Sequence, residues 1–167
     1  MAGLAATFGS GAMTNDIAGM DKSDVALIIG SDTSEAHPVI SARLKKAARK
    51  GKLKIIVIDP KRIRMADYAE IYACQRPGTD VAVMNGMMHL IIKNGWEDKK
   101  FIEERVEGYE ALKEEVAKFT PEYVEKISGV PAATLEKIAE LFGKAETAAL
   151  YYAMGITQHT TGVDNVK

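Results

Sequence analysis

The chain has 167 residues, 47% of them hydrophobic and 27% charged, which suits one compact domain with a sizeable core. Its 22 Lys and Arg against 23 Asp and Glu leave a net charge of −1, so no global positive field exists to gather nucleic acid or an anionic membrane. The single cysteine, Cys74, excludes an internal disulfide, a multi-thiolate zinc site and a self-contained iron–sulfur cluster.

No apolar run approaches the ~20 residues of a membrane span, and residues 1–12 lack the basic start and apolar core of a signal peptide. They read like the interior of a larger protein. A soluble, cytoplasmic protein with no direct membrane insertion is expected.

Residues 8–15, FGSGAMTN, place two glycines and several hydroxyls before a short helix signal, a weak phosphate-loop pattern by itself. The runs VALII (25–29) and IIVI (55–58) are short, continuous and rich in β-branched residues, as expected of strands buried on both faces of a parallel sheet. Between them, residues 38–50 begin with proline and stop before Gly51, with Val39, Ala42, Leu44 and Ala47 forming an apolar stripe: a crossover helix.

Residues 68–74 read as a third strand, which would bury Cys74 as a small hydrophobe. Residues 79–93 read as a helix stopped by Asn94-Gly95, in which Met84, Met87 and Met88 fall at core spacing and His89 sits late, in a capping or surface-packing role. Residues 97–146 carry alternating Glu and Lys and several helix starts, including Pro121 and Pro131, and form a helical insertion with a solvated surface. Residues 148–154 are a fourth strand. The order predicts an α/β fold: a Rossmann-like, open, mainly parallel sheet with helices on both faces in three layers.

In such sheets ligands bind beyond the carboxyl ends of the strands. There the chain places Gly30, Ser31, Asp32 and Glu35; then Asp59, Pro60 and Lys61; then Gly78, Thr79 and Asp80; and finally Gly155 and Gln158. The glycines admit a ligand close to backbone, Thr79 and Asp80 open a helix whose free amides suit phosphate, and the carboxylates suit hydroxyl or amino donors. A nucleotide diphosphate has all of these features. Each residue alone is also an ordinary turn or helix-start residue. Gly30 stands without the G-x-G-x-x-G of a nicotinamide site, which argues against NAD.

Taken in order, FGSGAMTN, IIGSDTSEAHP, VIDPKR, RPGTD and YAMGITQHTTG resemble the molybdopterin oxidoreductase family, most of all the catalytic alpha subunits of formate dehydrogenases. The resemblance covers essentially the whole chain and implies one central domain of a much larger subunit. It implies two molybdopterin guanine dinucleotides on one molybdenum or tungsten, with Gly30, Asp32, Glu35, Asp59, Lys61, Gly78, Thr79 and Asp80 lining a guanine dinucleotide. Gly155 and Gln158 would lie nearer the metal, with His159 beside them. Asp32 stands where an asparagine is more usual, and Asp80 and Asp59 could exchange the guanine and ribose roles.

The resemblance also implies that the metal-ligating cysteine or selenocysteine and the cysteines of a 4Fe-4S cluster precede residue 1, so these residues alone could not oxidise formate. Partners would be the remaining domains of the subunit and iron–sulfur or other electron-transfer subunits. Two other functions stay open: nitrate reductase or another member of the family, and a non-catalytic nucleotide-binding module with the same sheet.

Overall fold

The computed structural model describes residues 1–20 and 22–167. Its contacts divide the chain into two compact units, Met1–Cys74 with Glu146–Lys167, and Gln75–Ala145. In chain order the first unit begins with α1 (Ala2–Phe8), β1 (Val25–Ile29), α2 (Thr33–Ala36), α3 (Pro38–Arg49), β2 (Lys54–Ile58) and β3 (Ile71–Ala73). The second unit holds α4 (Asp80–Lys93), α5 (Lys99–Arg105), α6 (Tyr109–Val116), α7 (Pro121–Ser128) and α8 (Ala132–Gly143). The chain then returns to the first unit as β4 (Ala148–Tyr152), α9 (Met154–Thr157) and α10 (Gly162–Val166). Among the described residues no helix is long and apolar enough to cross a membrane.

The four strands pair in the order β3-β2-β1-β4, and every pair is parallel. All five residues of β1 are buried, as a strand covered on both faces requires. On one face Ala26, Ile28, Ile55 and Val57 pack with Leu44 and Ala47 of α3. Leu27, Ile29, Ile56 and Ile58 on the other are equally inaccessible. Helix α3 starts with Pro38 in its first turn and carries Lys46 and Arg49 in its last, where cations suit the helix dipole. Gly51, at φ 67°, then turns the chain into β2.

The third strand is shorter than the sequence suggests. Residues 64–68 wind into a 3-10 turn that buries Met65 and Ala66, and the ladder with β2 begins only where Glu70 N–H donates to Ile55 O at 2.8 Å. A compact turn can bury apolar residues as well as a strand can, so the apolar run misleads there. Cys74 falls one residue beyond β3 and is exposed, not buried; its thiol donates to Pro60 O at 3.4 Å. β4 likewise ends at Tyr152, and Met154 opens α9.

In the second unit α4 packs against α6, α7 and α8. A Cβ on Gly86 would lie 2.7 Å from Val124 and 2.9 Å from Leu135, so the bare glycine sets how closely α7 and α8 approach α4. Thr120 accepts from Tyr123 N–H and Pro121 follows in the first turn, which starts α7; Gly129 at φ 77° ends it. Met87 is buried in this core, with Met84 and Met88 half-buried. His89 is half-buried on α4, with its ring facing the backbone near Val116.

Candidate nucleotide-binding site

The strand order reverses between β1 and β4: from β1 the chain moves to β2 and β3 on one side, then returns to β4 on the other. The crevice of an open parallel sheet forms at the carboxyl ends of such neighbours. Here Gly30, at φ 56°, follows β1 and meets Gly155 at the start of α9. Gly155 N–H donates to Gly30 O at 3.0 Å, and a Cβ on Gly155 would lie 2.5 Å from that oxygen. No side chain fits between the two loops, so bare backbone lines the mouth of the crevice.

Beyond Gly30, Ser31 and Thr33 are buried with their hydroxyls 3.4 Å apart. Asp32 sits between them at the start of α2 but does not cap it. Its Oδ2 lies 3.4 Å from Lys61 Nζ, whereas Oδ1 is buried and has no hydrogen-bond partner. Buried acceptors are almost always paired, so this oxygen has capacity left for a donor. Glu35 is exposed, its Oε1 3.7 Å from Arg64 Nε.

Asp59, after β2, is 8% exposed and accepts from Lys61 N–H at 2.8 Å, so one of its oxygens stabilises its own turn. That turn aims Lys61 at Asp32. Tyr72 OH donates to Asp59 O at 3.0 Å. Burial pushes the Tyr72 hydroxyl up to about 12, helped by the Cys74 thiol and the Asp59 charge, with Arg62 opposing. Gln158 and His159 are exposed after α9, His159 Nε2 being 2.8 Å from Gly155 O.

In the second unit, Gly78 at φ 80° leads into Thr79 and Asp80 at the start of α4. Thr79 makes no capping bond; its hydroxyl donates to Arg76 O at 2.7 Å. Arg76 Nη1 donates to Lys126 O and Ile127 O at the carboxyl end of α7, which anchors the loop there. Asp80 is 8% exposed, and its Oδ1 accepts from Gln75 Nε2 at 2.8 Å.

The first unit thus brings Gly30 together with Gly155, and Lys61 together with Asp32 and Asp59; the second places Gly78, Thr79 and Asp80 at one helix start. The sequence marks Ser31 by its place after β1 but passes over Thr33, Tyr72, Arg76 and Gln75. The second hydroxyl so close after β1 is a usable signal for Thr33. A lone glutamine carries none.

The molybdopterin oxidoreductase family model matches residues 3–167, and the chain belongs to that family. It is 50% identical over 165 residues to the F420-dependent formate dehydrogenase subunit alpha of Methanocaldococcus jannaschii, covering 99% of this chain and 24% of that protein. It is 36% identical to formate dehydrogenase H of Escherichia coli, covering all of this chain and 23% of the relative. Among solved structures, acetylene hydratase from Pelobacter acetylenicus superimposes with a TM-score of 0.88 at 30% identity, over 99% of this chain and 22% of that one. The chain spans about a quarter of the length of these two curated relatives.

Family membership makes a molybdopterin the cofactor to test against these residues. They fit one: the Gly30–Gly155 contact presents main chain bare of side chains after β1 and β4, and the unpartnered Asp32 Oδ1 suits a hydroxyl or amino donor.

Proposed function

We propose that the chain is the cofactor-binding part of a formate dehydrogenase catalytic subunit, and that it holds the guanine dinucleotide arm of a molybdopterin. The observation that carries this reading is the close Gly30–Gly155 backbone approach beside the buried, unpartnered Asp32 Oδ1. Asp32 would accept from a ribose or base donor while Lys61 offsets its charge near a diphosphate. Gly30 and Gly155 would pass the ligand along the crevice, with Gln158 at its end. Glu35 and Asp59 would fix the loop and turn that present these groups. Gly78, Thr79 and Asp80 of the second unit are proposed as ligand contacts in their own right, through the uncapped amides of α4 and the Asp80 carboxylate.

Bound in the complete subunit, the paired pterin cofactors with molybdenum or tungsten would take up the two electrons released as formate becomes carbon dioxide. The protein's part is binding and orientation. The remaining domains of the subunit, a 4Fe-4S cluster and electron-transfer subunits would complete the path, in the cytoplasm. The names of the relatives, which speak of a subunit alpha, support an assembly of this kind. Another reaction on the same cofactor is the second reading, favoured by the likeness to a hydratase, since one fold carries several chemistries.

An NMR titration of this chain with GDP and ADP tests the nucleotide reading. Guanine offers N1–H and N2–H₂ side by side to a carboxylate, whereas adenine turns an acceptor toward it. A preference for GDP of roughly 5- to 150-fold is expected from one good two-point contact. Equal affinities would end the guanine assignment.

A further inference from the structure

Gln75 is 2% exposed in the second unit, among the most deeply buried large side chains, and among the described residues it is the one polar member of that group. Its Nε2 donates to Asp80 Oδ1 at 2.8 Å, while its own Oε1 is buried without a partner. A leucine or methionine would fill the same volume with no unpaired carbonyl. The amide therefore costs stability at this position and calls for a role. The start of α4 supplies one. No side chain caps this 14-residue helix: Thr79 turns its hydroxyl to Arg76 O, and Asp80, in the first turn, makes its hydrogen bond to Gln75. A first-turn aspartate left free swings onto the helix's own amides, a common local bond for this residue type.

We propose that Gln75 is a positioning residue for Asp80. It holds the carboxylate off the first-turn amides, so that amides and carboxylate stay available together to a ligand carrying both anionic oxygens and hydroxyl or amino donors, as a nucleoside diphosphate does. The inference rests on the nucleotide reading above and adds the residue that orders this helix start.

Two NMR measurements on the full 167-residue chain test it, with GDP as the probe. The first needs no ligand: the Asp80 side-chain couplings report a single χ1 rotamer in the wild type and an average of rotamers in Gln75→Met, which has the same length and no amide. The second compares GDP binding. Gln75→Met weakens it ~5- to 10-fold, the size expected when one ordinary orienting hydrogen bond is lost, but by less than ~2-fold in an Asp80→Asn background, because the route through Asp80 is already gone. A fixed Asp80 rotamer in Gln75→Met, or an equal loss in both backgrounds, overturns the inference. Absence of any GDP-dependent shift at residues 78–80 in the wild type instead overturns the nucleotide reading, and the rotamer result then decides Gln75 alone. Should Gln75→Met fail to fold, the wild-type Gln75 side-chain amide serves: its signal is expected to exchange slowly and move on GDP addition, and an unmoved signal overturns the proposal.

Discussion

The Gly155 amide donates to the Gly30 carbonyl across 3.0 Å and so ties the loop after β4 to the loop after β1. Both glycines are needed, for different reasons. Gly30 has φ 56°, which side chains rarely adopt, and Gly155 has no room for a Cβ because the Gly30 oxygen would lie 2.5 Å away.

Gly155→Ala is therefore expected to push the two loops apart at a cost of about 1–3 kcal/mol, the usual range for forcing an atom into a packed site. Thermal unfolding checks this, with the midpoint falling roughly 2–4 °C per kcal/mol in a chain of this size. Gly51→Asn is the control: its φ of 67° is strained, but the space around it is open and asparagine tolerates that conformation.

Asp32→Ala separates folding from binding. The variant loses the 3.4 Å contact with Lys61, whose side chain is 76% exposed, and exposed pairs of this kind contribute about 0–1 kcal/mol. It also removes the buried unpartnered Oδ1. The ligand-free urea midpoint should barely move, whereas GDP binding followed by NMR should weaken.

Alkaline pH should destabilise the chain partly through Tyr72. Burial, then the Cys74 thiol, raises its folded value from 10.0 to about 12, so the unfolded chain loses this proton first. The associated stability is present below pH 10 and is lost as pH rises toward about 12. Urea midpoints between pH 9 and 12 should fall less steeply in Tyr72→Phe than in the wild type, with absorbance at 295 nm recording the phenolate. Tyr152 and Tyr109 are raised as well, mainly by burial, and supply the slope that remains.

His89 acts at the other end of the scale. Burial first, and then the Lys93 charge, lowers it below its ordinary 6.5, so the unfolded chain takes up this proton more readily. Its contribution is complete above pH 6.5 and is lost as pH falls below that value. A His89→Gln variant should show a shallower loss of stability between pH 6.5 and 5.

Cys74 is exposed, so the folded chain should react fully with a water-soluble thiol reagent such as Ellman's, one equivalent per chain, without denaturant. Labelling that appears only on unfolding would show the thiol to be covered.

The sequence foretold β1 residue for residue, because a run of five apolar, mainly β-branched residues between turn signals has few other uses. It also marked α3 and α4, through Pro38 and Thr79. It misjudged residues 68–74, since a three-residue strand is too short to display a period and the preceding apolar residues bury themselves in a turn. The glycines and carboxylates of the candidate site stand out in the sequence by their place after strands. Their pairings do not, because the Gly30–Gly155 and Lys61–Asp32 contacts join distant parts of the chain. Gln75 was invisible: its meaning lies wholly in its burial and in the atom it holds.

The pairing of β1 with β4 also sets a timetable. Asp24 and Thr147, hydrogen-bonded where these strands begin, are 123 residues apart. At a synthesis rate of ~5–20 residues per second, β1 waits on the order of 6–25 s for the strand that covers this edge. Until then its unpaired edge and fully apolar flanks can recruit strands from other nascent chains. The Gly30–Gly155 contact forms only after β4 has docked, so the crevice is among the last features to be built, and a chain halted before residue 148 is left with an open sheet edge and no crevice at all.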